Sequence, residues 1–398
     1  MDLIRKKETT WLVIILFILM LSVFSYEKYI YTSYYSVIQK ILAGICFVSF
    51  VLIITFDKNA NREFVKGIKK NKTLNCLCIL MLLSTAINTM FSDAMTLMDS
   101  LASLLIIINI YFFFMIVPYV LDEINLEKFR KIFTYIITIL GVITIIIGVK
   151  DSFLWYKLIE YRSAGIYFDP NYMALILAAT VALNINNKDP KMIVCTIINC
   201  LAVVYTGSRG GILSLIGSVL LTFVLTIKKP MGKKILIMLA LFIGALCVIL
   251  YLNSINFFRL KQGSNGRFEM IAYGLEITAK KPLVGYGYGT VSGALKEAGF
   301  LNSSTHNALA DFAISFGFPA LIAYGLLILK SILNAIKNKK NTGVICATIC
   351  LAINMNTIVY IIGGVGAGSM LFTILLGICG AKSYGGSNEE NKYSSSGI

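Results

Sequence analysis

Stretches of about twenty apolar residues recur from one end of this chain to the other. No other feature constrains its fold as strongly. Such a stretch crosses a bilayer only as a helix, because each backbone N–H and C=O must find its partner within the segment. Hydrophobic residues make up 57% of the chain and charged residues 14%, and the mean hydropathy is +0.79. A soluble domain of 398 residues needs a larger charged surface. The chain therefore reads as an all-α polytopic membrane protein.

Hydropathy places twelve spans, near 11–25, 36–56, 73–91, 98–120, 132–149, 169–186, 191–206, 210–227, 235–252, 306–329, 342–361 and 367–381. The first run lacks a small-residue cleavage site behind it and reads as a retained helix. With the N-terminus inside, the inner segments collect about two-thirds of the 36 Lys and Arg residues, among them Arg62, Lys66, Lys70, Lys131, Lys233, Lys330 and Lys340. Both termini then face the cytoplasm. Residues 1–382 form one integral membrane domain, and the polar tail 383–398 reads as disordered. One outer loop dominates, at about 253–305. Within it, Arg267 to Ile277 has apolar residues at helical spacing, the pattern of a short amphipathic helix at the membrane surface. Lys281-Pro282 ends that helix, and Gly285-Tyr286-Gly287-Tyr288-Gly289 follows as a turn-rich segment.

The net charge of +16 reflects helix orientation and not nucleic-acid binding, since no loop interleaves aromatics with cations as a folded patch would. The nine cysteines are an odd count lying mainly within apolar runs, so neither a disulfide framework nor a metal site follows. The glycine triplet 285–289 follows no strand, which removes the dinucleotide and P-loop readings.

Chemistry gathers at the outer loop–helix borders. Arg209, in Thr206-Gly207-Ser208-Arg209-Gly210-Gly211, is packed into a very short outer turn, against the positive-inside trend. Ser208, Gly210 and the first backbone N–H groups of the following span would support an anion there. Arg267 opens the surface helix, where headgroup binding is its alternative role. Arg162, taken alone, reads as a snorkelling interfacial cation. Asp169-Pro170 reads as the N-cap and first residue of the sixth span. His306 is the only histidine, followed by Asn307 at the start of the tenth span. A lone histidine is usually structural, but this one sits at the surface beside the loop carrying Arg267 and is the chain's one group that ordinarily titrates near neutrality. One possible base and a few outward cations suit an anionic, lipid-linked substrate.

These motifs occur in a particular order: Arg162-x-x-Gly165 with Pro170-Asn171, Ser208-Arg209-Gly210, Gly266-Arg267, Pro282-Leu283-x-Gly285-x-Gly287-x-Gly289, then His306-Asn307 and Gly317-Phe318-Pro319. The ordered set, over roughly 160–325, resembles the O-antigen ligase and Wzy-type polysaccharide polymerase superfamily. The resemblance implies a C-type membrane glycosyltransferase architecture in the bacterial cytoplasmic membrane. It implies a site facing outward, taking glycans from undecaprenyl pyrophosphate without nucleotide sugar, metal or other cofactor. Arg209 and Arg267, with Arg162 as a third, would hold the pyrophosphate. His306 would activate the acceptor hydroxyl, supported by Asn307, Ser208 and Gly210. The partners implied are a lipid-linked oligosaccharide donor, a glycan acceptor and the lipid bilayer, with a chain-length regulator and a flippase as separate proteins.

The leading expectation is polymerisation of lipid-linked repeat units into capsule, exopolysaccharide or O-antigen by inverting transfer. Ligase-type transfer to another acceptor is the alternative. The ligase pattern of His-Asn, nine residues and Gly-x-x-Gly ends here on Ala320 instead of glycine, which favours the polymerase. A transporter or flippase of lipid-linked sugars is a third reading, weakened because the candidate residues lie at the outer surface and not mid-bilayer.

Overall fold

The computed structural model describes residues 2–92, 95–151, 162–226, 232–233, 236, 267–297, 299–300 and 304–381. The described residues are helical apart from connecting turns and one antiparallel bridge, Glu27 to Tyr167. In chain order the helices are α1 (Asp2–Phe24), α2 (Lys28–Ser33), α3 (Tyr35–Phe56), α4 (Lys58–Lys70), α5 (Lys72–Phe91), α6 (Leu97–Tyr111), α7 (Val117–Val120) and α8 (Glu123–Asp151). They continue as α9 (Pro170–Leu183), α10 (Pro190–Tyr205), α11 (Arg209–Thr226), α12 (Arg267–Lys280), α13 (Val291–Glu297), α14 (Ala308–Lys337), α15 (Thr342–Asn354) and α16 (Ala367–Gly380). Six described stretches are long and apolar enough to cross a membrane: α3, α5, Leu97–Val120, Ile124–Lys150, α11 and α14. Five more, Thr10–Phe24, α9, α10, α15 and α16, are apolar but shorter. The chain is an integral membrane protein. The expected ninth span at 235–252, the first part of the large loop and the tail 383–398 lie outside the described residues.

The outer surface differs from that of a soluble protein. On α3, Val37, Ile41, Phe47, Val51 and Phe56 are exposed, a surface that lipid covers at no cost. The interior is largely apolar but also holds polar pairs. Asn184 donates to the Thr134 hydroxyl at 2.7 Å, Asn199 to Thr138 at 3.0 Å, and Asn354 to Ser214 at 2.9 Å. Each pair satisfies, inside protein, a group that hydrocarbon would leave bare. α9 and α16 are central: every residue from Met173 to Leu183 and from Ala367 to Cys379 is buried. α9 packs on α8, α10, α11 and α15. Gly211 allows the approach of α11, since a Cβ there would stand 2.7 Å from that of Ala174.

Three helices are broken or cut short where hydropathy gives continuous spans. The fourth span passes through a π-turn at Phe112–Ile116 just before Pro118, which has no N–H to offer the preceding turn. The eleventh was expected to continue to 361 but stops at Asn354. Residues 355–366 fold as turns, with Gly363 at φ 75°. Neighbours take up several of their carbonyls: Met355 O accepts from Ala308 N, Val359 O from the Tyr172 hydroxyl, and Val365 O from Ser22. Non-helical backbone survives at such a place because protein surrounds it. The tenth was expected over 306–329 but runs from Ala308 to Lys337, broken at Gly317 (φ 80°, ψ 172°) ahead of Pro319.

That break receives the glycine-rich end of the outer loop. Tyr286 N donates to Ile314 O at 2.8 Å, Gly287 N to Ser315 O at 2.9 Å, and Phe318 N to Pro282 O at 2.8 Å. The loop therefore takes up the carbonyls that the broken helix releases. Ser84 and Asn88 of α5 both donate to Val284 O, clamping the hook from the other side. The helix expected over Arg267–Ile277 is present as α12. It ends at Lys280, before Pro282 as its sequence implies, and packs Met270, Gly274 and Ile277 inward while Phe268 stays exposed. It is docked on α14, with Gly274 against Thr305, Ala310 and Ile314.

Candidate functional site

Four separated segments meet at the N-terminal end of α14. The first is the turn between α10 and α11. Gly207, at φ 57°, reverses the chain, and the buried Ser208 hydroxyl accepts from Gly211 N at 3.2 Å, capping α11 and placing Arg209 as its first residue. Gly210 is small for a reason: a Cβ there would come within 2.5–2.9 Å of Thr357, so the turn region 355–358 lies directly on the start of α11.

The second segment is 162–171. Asp169 caps α9, accepting from Asn171 N at 2.6 Å, with Pro170 in the first turn, as the sequence implied. Arg162 donates through Nε to Thr206 O at 3.2 Å and through a terminal nitrogen to Asn171 Oδ1 at 2.6 Å. Asn171 Oδ1 also accepts from the Ser208 hydroxyl at 2.9 Å. Arg162 and Asn171 together brace the turn that presents Arg209.

The third segment is the start of α12, where Arg267 is half-buried. Burial pulls its guanidinium below the ordinary arginine range, and the Arg209 charge pulls it further, against the opposing pull of Asp169. Two cations close enough to disfavour each other's charge in a half-desolvated place can be relieved by an anion between them.

The fourth is Thr305-His306-Asn307. Asp311, buried one turn inside α14, accepts from Thr305 N at 2.9 Å and from the Thr305 hydroxyl at 2.6 Å. Asn307 caps α14, accepting from Leu309 N and Ala310 N at 3.0 Å each, and donates to Asn356 Oδ1 at 3.2 Å. Between these anchored neighbours His306 sits exposed at φ 55°, a left-handed conformation uncommon for a residue with a Cβ. Desolvation by its surroundings and the Arg267 charge lower its pKa, while Asp169 pulls the other way. The imidazole is therefore held toward its neutral, proton-accepting form. Arg209, Arg267 and His306 share one electrostatic neighbourhood with Asp169 in it. Arg162 touches that neighbourhood through Asn171, and Asn307 through the helix cap.

Five contributors were not picked out from the sequence as site residues. Asp169 was read as a helix cap alone, and Asn171 was quoted without a role. Asn356 and Thr357 were placed inside a continuous span, although the polar run Asn354-Met355-Asn356-Thr357 is a signal for a break. Asp311 gives no such signal, because only the fold brings it to Thr305.

A family model described as O-antigen ligase matches residues 194–325. The matched segment includes Arg209, Arg267 and His306 and leaves out Arg162. No curated protein matches the chain.

Proposed function

We propose, from the match of residues 194–325 to a family model described as O-antigen ligase, that this chain is a member of the O-antigen ligase and Wzy-type polymerase superfamily and polymerises undecaprenyl-pyrophosphate-linked oligosaccharide repeat units into a cell-surface polysaccharide. The observation that supports this reading is the convergence of the Arg209 turn, α12 and the His306 turn at the N-terminal end of α14. In this reading the convergence brings an anion cradle and a base together on the outer face.

In this mechanism the acceptor sugar hydroxyl attacks the anomeric carbon of the donor from the face opposite the pyrophosphate. The new C–O bond forms as the bond to the phosphate oxygen breaks, with inversion. The hydroxyl proton passes to the neutral imidazole of His306, a contribution of ~10²–10⁴ in rate. Negative charge grows on the departing pyrophosphate. Arg209 and Arg267 meet it with guanidinium groups that bind phosphate oxygens bidentately and stay protonated. Such stabilisation of developing charge in a partly dry site is often the largest catalytic term. Arg162 acts one step back, holding the Arg209 turn through Thr206 and Asn171.

The experiment is chain extension by purified protein given undecaprenyl-pyrophosphate oligosaccharide with a chelator and no nucleotide. Lengthening by the wild type, lost in both Arg209→Ala and Arg267→Ala, is the expected result. Full activity of both variants would remove the pyrophosphate cradle. The second reading, ligase-type transfer to a different acceptor, is favoured by the description of the matching family. It predicts a single transfer without laddered products in the same assay. Ala320, where the ligase pattern has glycine, sits buried in α14 and supports the polymerase.

A further inference from the structure

A cavity of about 640 Å³ opens at the other end of the bundle. Lys330 lies on its wall, six turns along α14 from its first residue, Ala308, which at 1.5 Å per residue is about 33 Å, enough to cross a bilayer's hydrocarbon. The cavity thus faces the membrane surface opposite the candidate site. Its walls come from α4, the start of α5, α14 and the end of α16. α4 was not anticipated as a helix. It is capped by Asp57, buries Ala60 fully, and packs Gly67 against Met115 of the π-turn. The helix is therefore a docked wall.

The lining is two-sided. Phe114, Leu74 and Leu327 supply apolar surface, and Lys66, Lys70, Lys72 and Lys330 supply cations. Glu63 is the one carboxylate among the lining residues, and Lys66 already pairs with it at 2.7 Å. Lys330 is stationed by a 2.7 Å hydrogen bond from its ammonium to Thr73 Oγ1, joining α14 to α5. Surface lysines that merely orient helices need no such tether and no cavity between them. A cationic opening over an apolar back, at the level of the headgroups, fits one amphiphile with a phosphate near the start of its acyl chains.

We propose that this cavity binds the headgroup of an anionic phospholipid, and that the bound lipid braces α4 against α14 at the membrane surface opposite the candidate site. This holds whether or not the glycosyl-transfer reading is right.

The test uses the full chain in a neutral detergent. Its thermal unfolding is followed with added phosphatidylglycerol, phosphatidylcholine of the same acyl chains, or inorganic phosphate, and lipid adducts are counted by native mass spectrometry. Phosphatidylglycerol should raise the melting temperature and stay bound, while phosphatidylcholine and inorganic phosphate should do neither. Lys70→Gln with Lys330→Gln should weaken phosphatidylglycerol binding about tenfold or more. Lys58→Gln with Lys69→Gln, which removes two α4 cations outside the cavity, should leave it unchanged. Equal losses in the two double variants would reduce the effect to general surface charge and overturn the proposal. So would equal stabilisation by phosphatidylcholine, or stabilisation by phosphate alone. If the first double variant does not fold, absence of a phosphatidylglycerol adduct on the wild-type protein decides against it as well.

Discussion

His306 being the chain's only histidine makes its protonation directly measurable. A protein labelled at histidine gives one imidazole signal, and its titration midpoint should fall below the ordinary ~6.5. Desolvation and the Arg267 charge both disfavour the imidazolium, and they outweigh Asp169. Replacing Arg267 by Gln removes a repelling cation, so the midpoint should move up. A midpoint that stays put in that variant would separate the two residues electrostatically. The same titration sets the acid limb of turnover. A base must be neutral to accept a proton, so activity should fall as pH drops through the midpoint. His306→Ala should slow turnover by ~10²-fold or more, and a change confined to apparent substrate affinity would demote the imidazole to positioning. Asn suits the left-handed backbone at φ 55°, so His306→Asn should separate lost chemistry from lost fold. At this scale the sequence was legible where residue type alone carried meaning. A sole imidazole and an arginine in a tight outer turn are unusual enough to notice. The Asp311 contact was not legible, because a buried carboxylate one helical turn from a loop threonine carries no local pattern.

Helix breaks decide the site at the level of elements. α14 bends at Gly317, and the Pro282–Gly289 hook donates to the carbonyls the bend releases. A Cβ on Gly317 would stand 2.7–2.8 Å from the Pro282 and Leu283 backbone, and one on Gly285 would stand 2.5–2.8 Å from the backbone around Ile314–Gly317. Both glycines also have positive φ. Gly317→Ala and Gly285→Ala should each destabilise by ~1–3 kcal/mol or more, lowering the melting temperature and freeing the loop that carries Arg267. Gly325→Ala, on the same helix with open space at its Cβ, is the control that should leave both unchanged. Equal melting temperatures for Gly317→Ala and wild type would mean that the hook is not held as described. The sequence displayed both halves of this joint, as a glycine triplet and as Gly317-Phe318-Pro319. Hydropathy could not pair them, because a window average sees Gly317 as one weak position in an apolar run. The same averaging carried the eleventh span past Asn354.

For the whole molecule, α14 is long and apolar enough to cross a bilayer, so its two ends should lie at opposite membrane faces. In a variant lacking the nine cysteines, an impermeant thiol reagent applied to intact cells should label Ser304→Cys. It should reach Lys339→Cys only after the membrane is opened. Labelling of both from outside would overturn the outward placement of the candidate site. The architecture at this scale was the most legible part. Apolar stretch length is a physical requirement of the bilayer, and it appears in the sequence without reference to any other segment. Thus the sequence by itself determined that this chain lives in a membrane as helices, with its unusual cations and sole imidazole at their borders. Tertiary structure alone decided that the turn before α11, the cap of α9, the start of α12 and the turn before α14 form one place, and that α4 closes a cationic cavity at the far end. Hydropathy is a local property written residue by residue, whereas a site is made of long-range contacts. Those contacts depend on where helices stop, and a single buried asparagine or glycine sets that through the partners it finds.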